Sequence, residues 1–337
     1  MKKVPTRLTS LFLAVVLTLS AVVPSLAAGA DWTQALDQAA AYVKKTVPDP
    51  QPSSTFGEWA VIGLARGERL DSAQRDRYLE NLEAVLREKQ GVLSSRKHTE
   101  YDRAILALTA LGEDPQEAAG YDLLAPLEDF DRTVRQGLNG AIFALIALDS
   151  GGYDAAPGLR EQYLQYILDA QLADGGWALS GSKADPDVTA QALQALALYR
   201  ADQEKAVASG LACLTTLHSA GAYSTSEAYA QTVIALCALD EPVPDDLLAE
   251  LLSFQRADGG FAHLPGGGTD QMASEQALCA LTALERAEAG RSSLYQMEDA
   301  ARGASASLPF QVLAVPLLAA LVPATLLRPG FLPLPVK

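Results

Sequence analysis

Acid chemistry comes closest to the surface of this sequence at Asp185-Pro-Asp187, just ahead of an Ala/Leu-rich helical run. A carboxyl held in apolar surroundings beside a second carboxylate keeps its proton to higher pH, and so can serve as a general acid near neutrality. Asp187 is the candidate acid and Asp185 the neighbour that tunes it. Other polar residues fall at or near the starts of similar runs: Glu58 with Trp59, Asp102, Asn139, Gln191, Glu227 with Gln231, and Glu275. They are candidates for lining a binding site. Thr55-x-x-Glu58 and Ser224-x-x-Glu227 have capping-box spacing, and Thr99-x-x-Asp102 resembles it, so helix capping is the alternative role for each acid.

Metal and phosphate chemistry find less support. The three histidines are His98, His218 and His263. Cys213 and His218 stand i, i+5 on one helical stretch, which is poor chelating geometry, and His263 with Asp270 is unspecific. No metal site and no cofactor are expected. Gly266–Gly268 follows no strand and precedes no Gly-Lys-Ser/Thr, so it is not a phosphate loop. Cys213, Cys237 and Cys279 lie in Ala/Leu-rich patterns. An odd, sparse set argues against a disulfide framework and for buried free thiols.

The elements that must hold these residues repeat. A core of the form small-aliphatic-x-small-Leu occurs six times, starting at Ala60, Ala104, Ala141, Ala192, Thr232 and Ala277. Each core lies in a stretch apolar on most faces, the pattern of a buried helix. Amphipathic stretches alternate with them at about 32–47, 72–88, 117–127, 158–171, 203–218 and 245–255. The connections are short and rich in Pro, Gly and Asp. Six buried and six amphipathic helices in alternation predict an all-α fold, an (α/α)6 toroid of six helical hairpins, with a solenoid as the alternative. The inner helices would then run parallel, with their partly positive N-termini at one mouth.

The two ends of the chain read differently. Lys2, Lys3 and Arg7 precede an apolar run from Leu11 to Val23 and a small-residue site at Ser25-Leu26-Ala27. This predicts a signal peptide over 1–27 and an exported protein. Leu308 to Leu327 is free of charge and long enough to span a membrane, although Pro309, Pro316 and Pro323 interrupt it. Residues 304–337 are therefore expected to be an apolar tail that anchors the chain to the membrane. The remaining 28–303 carry all 41 acidic residues and 21 of the 26 basic ones, a net charge of −20. Such a surface repels nucleic acid and anionic lipid headgroups.

Gln171-x-x-x-Gly175-x-Trp177 closes an amphipathic stretch, and Gln255-x-x-x-Gly259-x-Phe261 and Leu217-x-x-x-Gly221-x-Tyr223 are weaker copies in phase with the repeat. The first matches the QW motif of squalene/hopene-type cyclases. Across about 31–290 the chain resembles the prenyltransferase/terpene-cyclase α/α toroid superfamily, in its exported bacterial branch. In that family the motif is structural: Gly permits the turn, the Gln amide pairs with backbone of a neighbouring helix, and the aromatic wedges between hairpins. Asp185-Pro-Asp187-Val188-Thr189-Ala190 resembles the Asp-x-Asp-Asp-Thr-Ala run of class II cyclases, with Asp187 at the proton donor's position. Val188 replaces the following Asp, and one toroid with 22 aromatic residues falls short of the aromatic two-domain cavity of those enzymes. No Asp/Cys/His zinc set of the protein prenyltransferases and no Gly-Cys-Gly-Glu-Gln thioester run is present. The resemblance therefore implies an exported, envelope-associated, non-catalytic toroid that binds a small hydrophobic molecule, a corrinoid or an envelope protein. The alternative is a class II terpene cyclase-like enzyme with Asp187 as general acid.

Overall fold

The computed structural model describes residues 31–300. The expected signal peptide and apolar tail lie outside them. The described part is all-α, with twelve α-helices and one pair of two-residue strands.

Six helices are largely buried. They are α2 (Glu58–Arg66), α4 (Thr99–Ala110), α6 (Leu138–Ser150), α8 (Pro186–Leu196), α10 (Ser226–Ala238) and α12 (Gln271–Glu288). Each contains one of the six repeated cores. Ala and Gly at the core positions let the backbones approach: a Cβ on Gly63 would stand 2.9 Å from the Leu278 side chain. Each of these helices packs on the next, and α12 packs back on α2, so the contacts form a closed circuit.

Hydrogen bonds fix their direction. Between α12 and α2, Cys279 Sγ donates to the Trp59 carbonyl at 3.5 Å, Thr282 Oγ1 to Gly63 at 3.3 Å and Arg286 Nη1 to Arg66 at 3.1 Å. The partners climb both helices together, so the two run parallel. Gln136, just before α6, bonds Thr99 at the start of α4, while Ser150 Oγ lies 3.5 Å from Thr109 Oγ1 at their far ends. Tyr199, just past α8, donates to Asp149 near the end of α6 at 2.9 Å. The N-termini thus gather at one end of the circuit and the C-termini at the other.

Outside this layer lie α1 (Trp32–Thr46), α3 (Ser72–Glu88), α7 (Leu159–Asp169), α9 (Glu204–Ser219) and α11 (Asp245–Ser253). Helix α1 packs on α12, α7 on α6, α9 on α8 and α11 on α10. Their boundaries follow the amphipathic periodicity within a few residues. The stretch expected as a helix over 117–127 is the exception. There the chain makes turns, a 3-10 segment at Ala125–Glu128 and the short α5 (Phe130–Thr133). Gly120 and Pro126 interrupt it, Ala119 has φ of 53°, and neither Pro nor Gly sustains a helix interior.

The strands β1 (Phe261–Ala262) and β2 (Thr269–Asp270) pair antiparallel, Phe261 opposite Asp270. Two residues are too short to leave a period-2 pattern, and the sequence reading contained no strand.

Candidate functional site

The amide ties expected of the Gln–Gly–aromatic motif are present. Gln171 Nε2 donates to the Gly175 carbonyl at 2.8 Å and to Ala206 on α9 at 2.9 Å. Gly175 has φ of +87°, and a Cβ there would meet the Ser209 carbonyl at 2.6 Å. Trp177 is fully buried, its indole N–H bonded to Ile167 at 2.7 Å. The second copy repeats this at the seam of the circuit. Gln255 Nε2 donates to Ala35 on α1 at 2.9 Å and to Gly259 at 3.1 Å, Gly259 has φ of +92°, and Phe261 is fully buried. In both, a hydroxyl from the following inner helix accepts the aromatic residue's N–H: Thr189 for Trp177 and Ser274 for Phe261. The third copy begins with Leu217 and has no amide to tie. Tyr223 still wedges, its hydroxyl bonded to Thr232 at 3.1 Å.

The acids gather at the N-terminal end of the circuit, and of the candidates only Asp185 is a cap. The N-cap of α2 is Gly57, not Thr55. The N-cap of α4 is His98, with no side-chain cap. Thr225, not Ser224, caps α10 by accepting from Ala228 at 3.2 Å. Asp185 is the cap of α8, accepting from Val188 at 3.1 Å. The capping-box readings of Glu58, Asp102 and Glu227 are therefore corrected: the turns before these helices place the expected cap residues one or two positions away.

Freed from capping, the acids fall into two sets. Glu58, Asp102 and Glu275, with Asn139, stand two residues before the repeated core of their helix. The three acids are fully buried. Glu58 Oε1 accepts from the Ser53 amide at 2.7 Å and Glu275 Oε1 from Gln271 at 2.8 Å, while the second oxygen of each, and both oxygens of Asp102, have no hydrogen-bond partner. Burial pushes Glu275 up to about 8. It raises Glu58 and holds Asp102 well above the usual carboxylate range. The Arg103 guanidinium opposes all three rises, pairing directly only with Glu100, at 2.7 Å. At neutral pH Glu275 therefore holds its proton.

Asp187 and Glu227 form the second set, each five residues before its core. Asp187 is half-buried, with Oδ1 unpartnered. Burial, then the charges of Asp185 and Glu227, push it up to about 7, against the pull of His263. Glu227 is held by His263 Nδ1 at 2.9 Å. His263 therefore serves the acid pair and does not meet Asp270 as a ligand. Among the described residues no group of three His, Cys, Asp or Glu side chains is placed to hold a metal ion. All three cysteines are buried free thiols.

Deeper in, Gln194 on α8 donates to Gln231 on α10, whose amide in turn donates to Gln276 on α12. Gln191 is half-buried one turn above Gln194. The Trp59 ring lies 5.7 Å from Phe143 on α6, two helices away around the circuit, and 6.4 Å from Tyr295. Trp59, Gln191, Gln231 and Gln276 each stand one residue before their core, as does Arg103. Of these five, Trp59, Gln191 and Gln231 are candidates on sequence; Arg103, Gln194, Gln276 and Tyr295 are not, although the shared offset from the core marks Arg103 and Gln276.

The C-terminal end is closed. After α12 the chain runs back across it as a strap over 291–300. Arg66 and Arg286, both almost fully buried, grip Asp299, and Arg66 also donates to the carbonyls of Ser293, Leu294 and Gln296. On the opposite side of the circuit, the Met297 amide donates to Ser150 at the end of α6 at 2.8 Å. Tyr295, Leu294 and Met297 are buried beneath.

No family model and no curated protein matches the chain.

Proposed function

We propose that residues 28–303 form an (α/α)6 toroid of the prenyltransferase/terpene-cyclase type, and that it is a binding domain, not an enzyme. The closed circuit of six parallel inner helices, tied outer helix to outer helix by Gln171 and Gln255, supports the toroid. The missing amide of the third motif copy and the turns over 111–137 mark departures from a regular repeat.

One observation carries the binding reading. The strap covers the C-terminal end, and at the N-terminal end Asp187, Asn139 and Glu227 stand partly exposed around the fully buried Glu58, Asp102 and Glu275, above Trp59, Phe143 and the glutamine ladder. The partly exposed carboxyls and amide supply directional hydrogen bonds, and the aromatic rings supply an apolar floor. That combination suits a ligand with an apolar body and a few polar groups. A hydrophobic small molecule or a corrinoid fits it; an envelope protein inserting a side chain is the macromolecular form of the same reading. The chain is taken to be exported by its first 27 residues and held at the membrane by its tail.

Asp187 favours a second reading. An acid pushed up to about 7 beside a Glu227–His263 pair is poised to hand over a proton near neutrality, as a class II cyclase acid does. Native mass spectrometry of the purified chain tests the first, and chromatographic separation of substrate from its cyclised isomers tests the second. A mass gain with squalene, a prenyl diphosphate or cobalamin supports the binding domain. Conversion of squalene or the prenyl diphosphate to a cyclised product, abolished by Asp187→Asn, would replace it with the enzyme. No mass gain with any of the three would defeat the small-molecule form.

A further inference from the structure

The strap sets more than the closure of one end, because it is also where the tail begins. Its last described residue, Ala300, packs on the core beside Met297. Only 301–307 separate it from the uncharged run that starts at Leu308. Seven residues reach about 25 Å when fully extended. Helix α12, at 18 residues, is about 27 Å long. The linker is therefore no longer than the domain is deep along its inner helices.

The attachment is firm. Asp299 stands just before this linker and is held by Arg66 from α2 and Arg286 from α12. Arg286 also bonds Ser292 through its Nε at 2.8 Å, and Met297 is pinned to α6 across the circuit. Peeling the strap away would strip two buried guanidinium groups of their partners, a strongly unfavourable change. The tail therefore leaves from a fixed place at the closed end.

Charge does not choose between the two ends, since Glu68, Asp114, Asp240 and Glu298 stand exposed at the strap end; the place where the tail leaves does. Asp185, Asp187, Glu100 and Glu227 stand at the opposite end. Four of the five exposed large apolar side chains, Phe56, Val92, Leu179 and Leu264, also stand there, on the segments that lead into α2, α4, α8 and α12. These would enter a bilayer if the domain sat the other way up, so the two orientations make opposite predictions.

We infer that the domain sits with its strap end toward the membrane and its acid-lined end toward the aqueous phase, so that its ligand arrives from solution and not from the bilayer. This rests on the reading of the tail as a membrane anchor. The ligand class it names is a water-borne small molecule, the same ligand that the binding proposal assigns to the acid-lined end.

The test uses the full chain in phosphatidylcholine vesicles that contain a minor fraction of lipid with a nitroxide on its headgroup. Two variants carry a single fluorophore on an introduced cysteine: Leu198→Cys beside the strap end and Leu264→Cys at the acid-lined end. Both positions are about half exposed, and the native cysteines are buried. Flotation first establishes that each variant binds the vesicles. The inference expects the label at 198 to be quenched at least twofold more than that at 264. Equal quenching, or stronger quenching at 264, overturns it while leaving the anchor intact. Failure to float overturns the anchor reading, and the inference with it.

Discussion

Glu275→Gln separates the electrostatics of the buried acids from their packing. In the folded chain Glu275 is pushed from 4.5 up to about 8 by burial. In the unfolded chain it returns to its ordinary value. The raised carboxyl makes no demand below about pH 4.5, where both states hold the proton. Between there and about pH 8 the unfolded state loses its proton first, so stability falls as pH rises. Above pH 8 the loss is complete. At about 1.4 kcal/mol per pH unit, the rise corresponds to about 5 kcal/mol, an upper bound because relaxation and entry of water weaken burial. The glutamine amide keeps the shape and an oxygen for the Gln271 donor, and it never ionises. The urea midpoints of the wild type and Glu275→Gln should therefore nearly coincide at pH 5, and the variant should be the more stable by several kcal/mol at pH 9. The charge of Glu58 also raises Glu275, so the difference reads Glu275 together with its coupling to Glu58. A variant equally destabilised at both pH values would refute the reasoning, and would mean that Glu275 is ionised and paired in the fold.

Further predictions follow from the same geometry. Trp177→Ala should cost about 3–5 kcal/mol in urea unfolding, since it empties a fully buried wedge; an unchanged midpoint would remove Trp177 from the core. Gly259→Ala should lower the melting temperature, because φ is +92° and the new Cβ would meet the Gln38 carbonyl at 2.6 Å, whereas Gly266→Ala, with open space around it, should cost about 1–2 kcal/mol from its positive φ alone. Asp299 is held at about 2 by Arg66 and Arg286. Its stabilisation is present above the ordinary aspartate range and lost as pH falls toward 2, and Asp299→Asn should speed proteolysis of the strap at neutral pH. Asp187→Asn should leave the melting temperature nearly at the wild-type value, because Asp185 is the cap; a large fall would give Asp187 a structural role.

The helices were legible because their signals are local and repeated. The cores beginning at Ala60 and Ala277 look alike, and the helices they make are neighbours at the seam of the circuit. The Gln–Gly–aromatic motif was legible for the same reason: all its parts lie within seven residues, and only the carbonyl it seeks, on Ala206 or Ala35, comes from elsewhere. The segment over 117–127 misled because its apolar spacing suits a helix while Gly120 and Pro126 forbid one. The caps misled because a capping box fixes a spacing and not a start. A shift of one residue in the turn passes the role from Ser224 to Thr225 and frees Glu227 for His263. Least legible was the strap. Arg66 and Asp299 are 233 positions apart, and nothing local to either announces the other.

The strap also helps the circuit tolerate so many buried acids. Glu58, Asp102 and Glu275 are fully buried at the acid-lined end itself, so the helices and turns around them exclude water on that side. Tyr295 beneath Trp59 and the Arg66–Asp299–Arg286 grip cover the other side of the circuit. Loosening the strap should therefore be felt at the far end. In Asp299→Asn, water reaching the interior would lower the proton affinity of Glu275 toward its ordinary value. The stability gained at pH 9 by adding Glu275→Gln should then be smaller than in the intact background. The four proteins form a double-mutant cycle. A gain of the same size in both backgrounds would mean that the acids are kept dry by their own helices, and that the strap seals nothing.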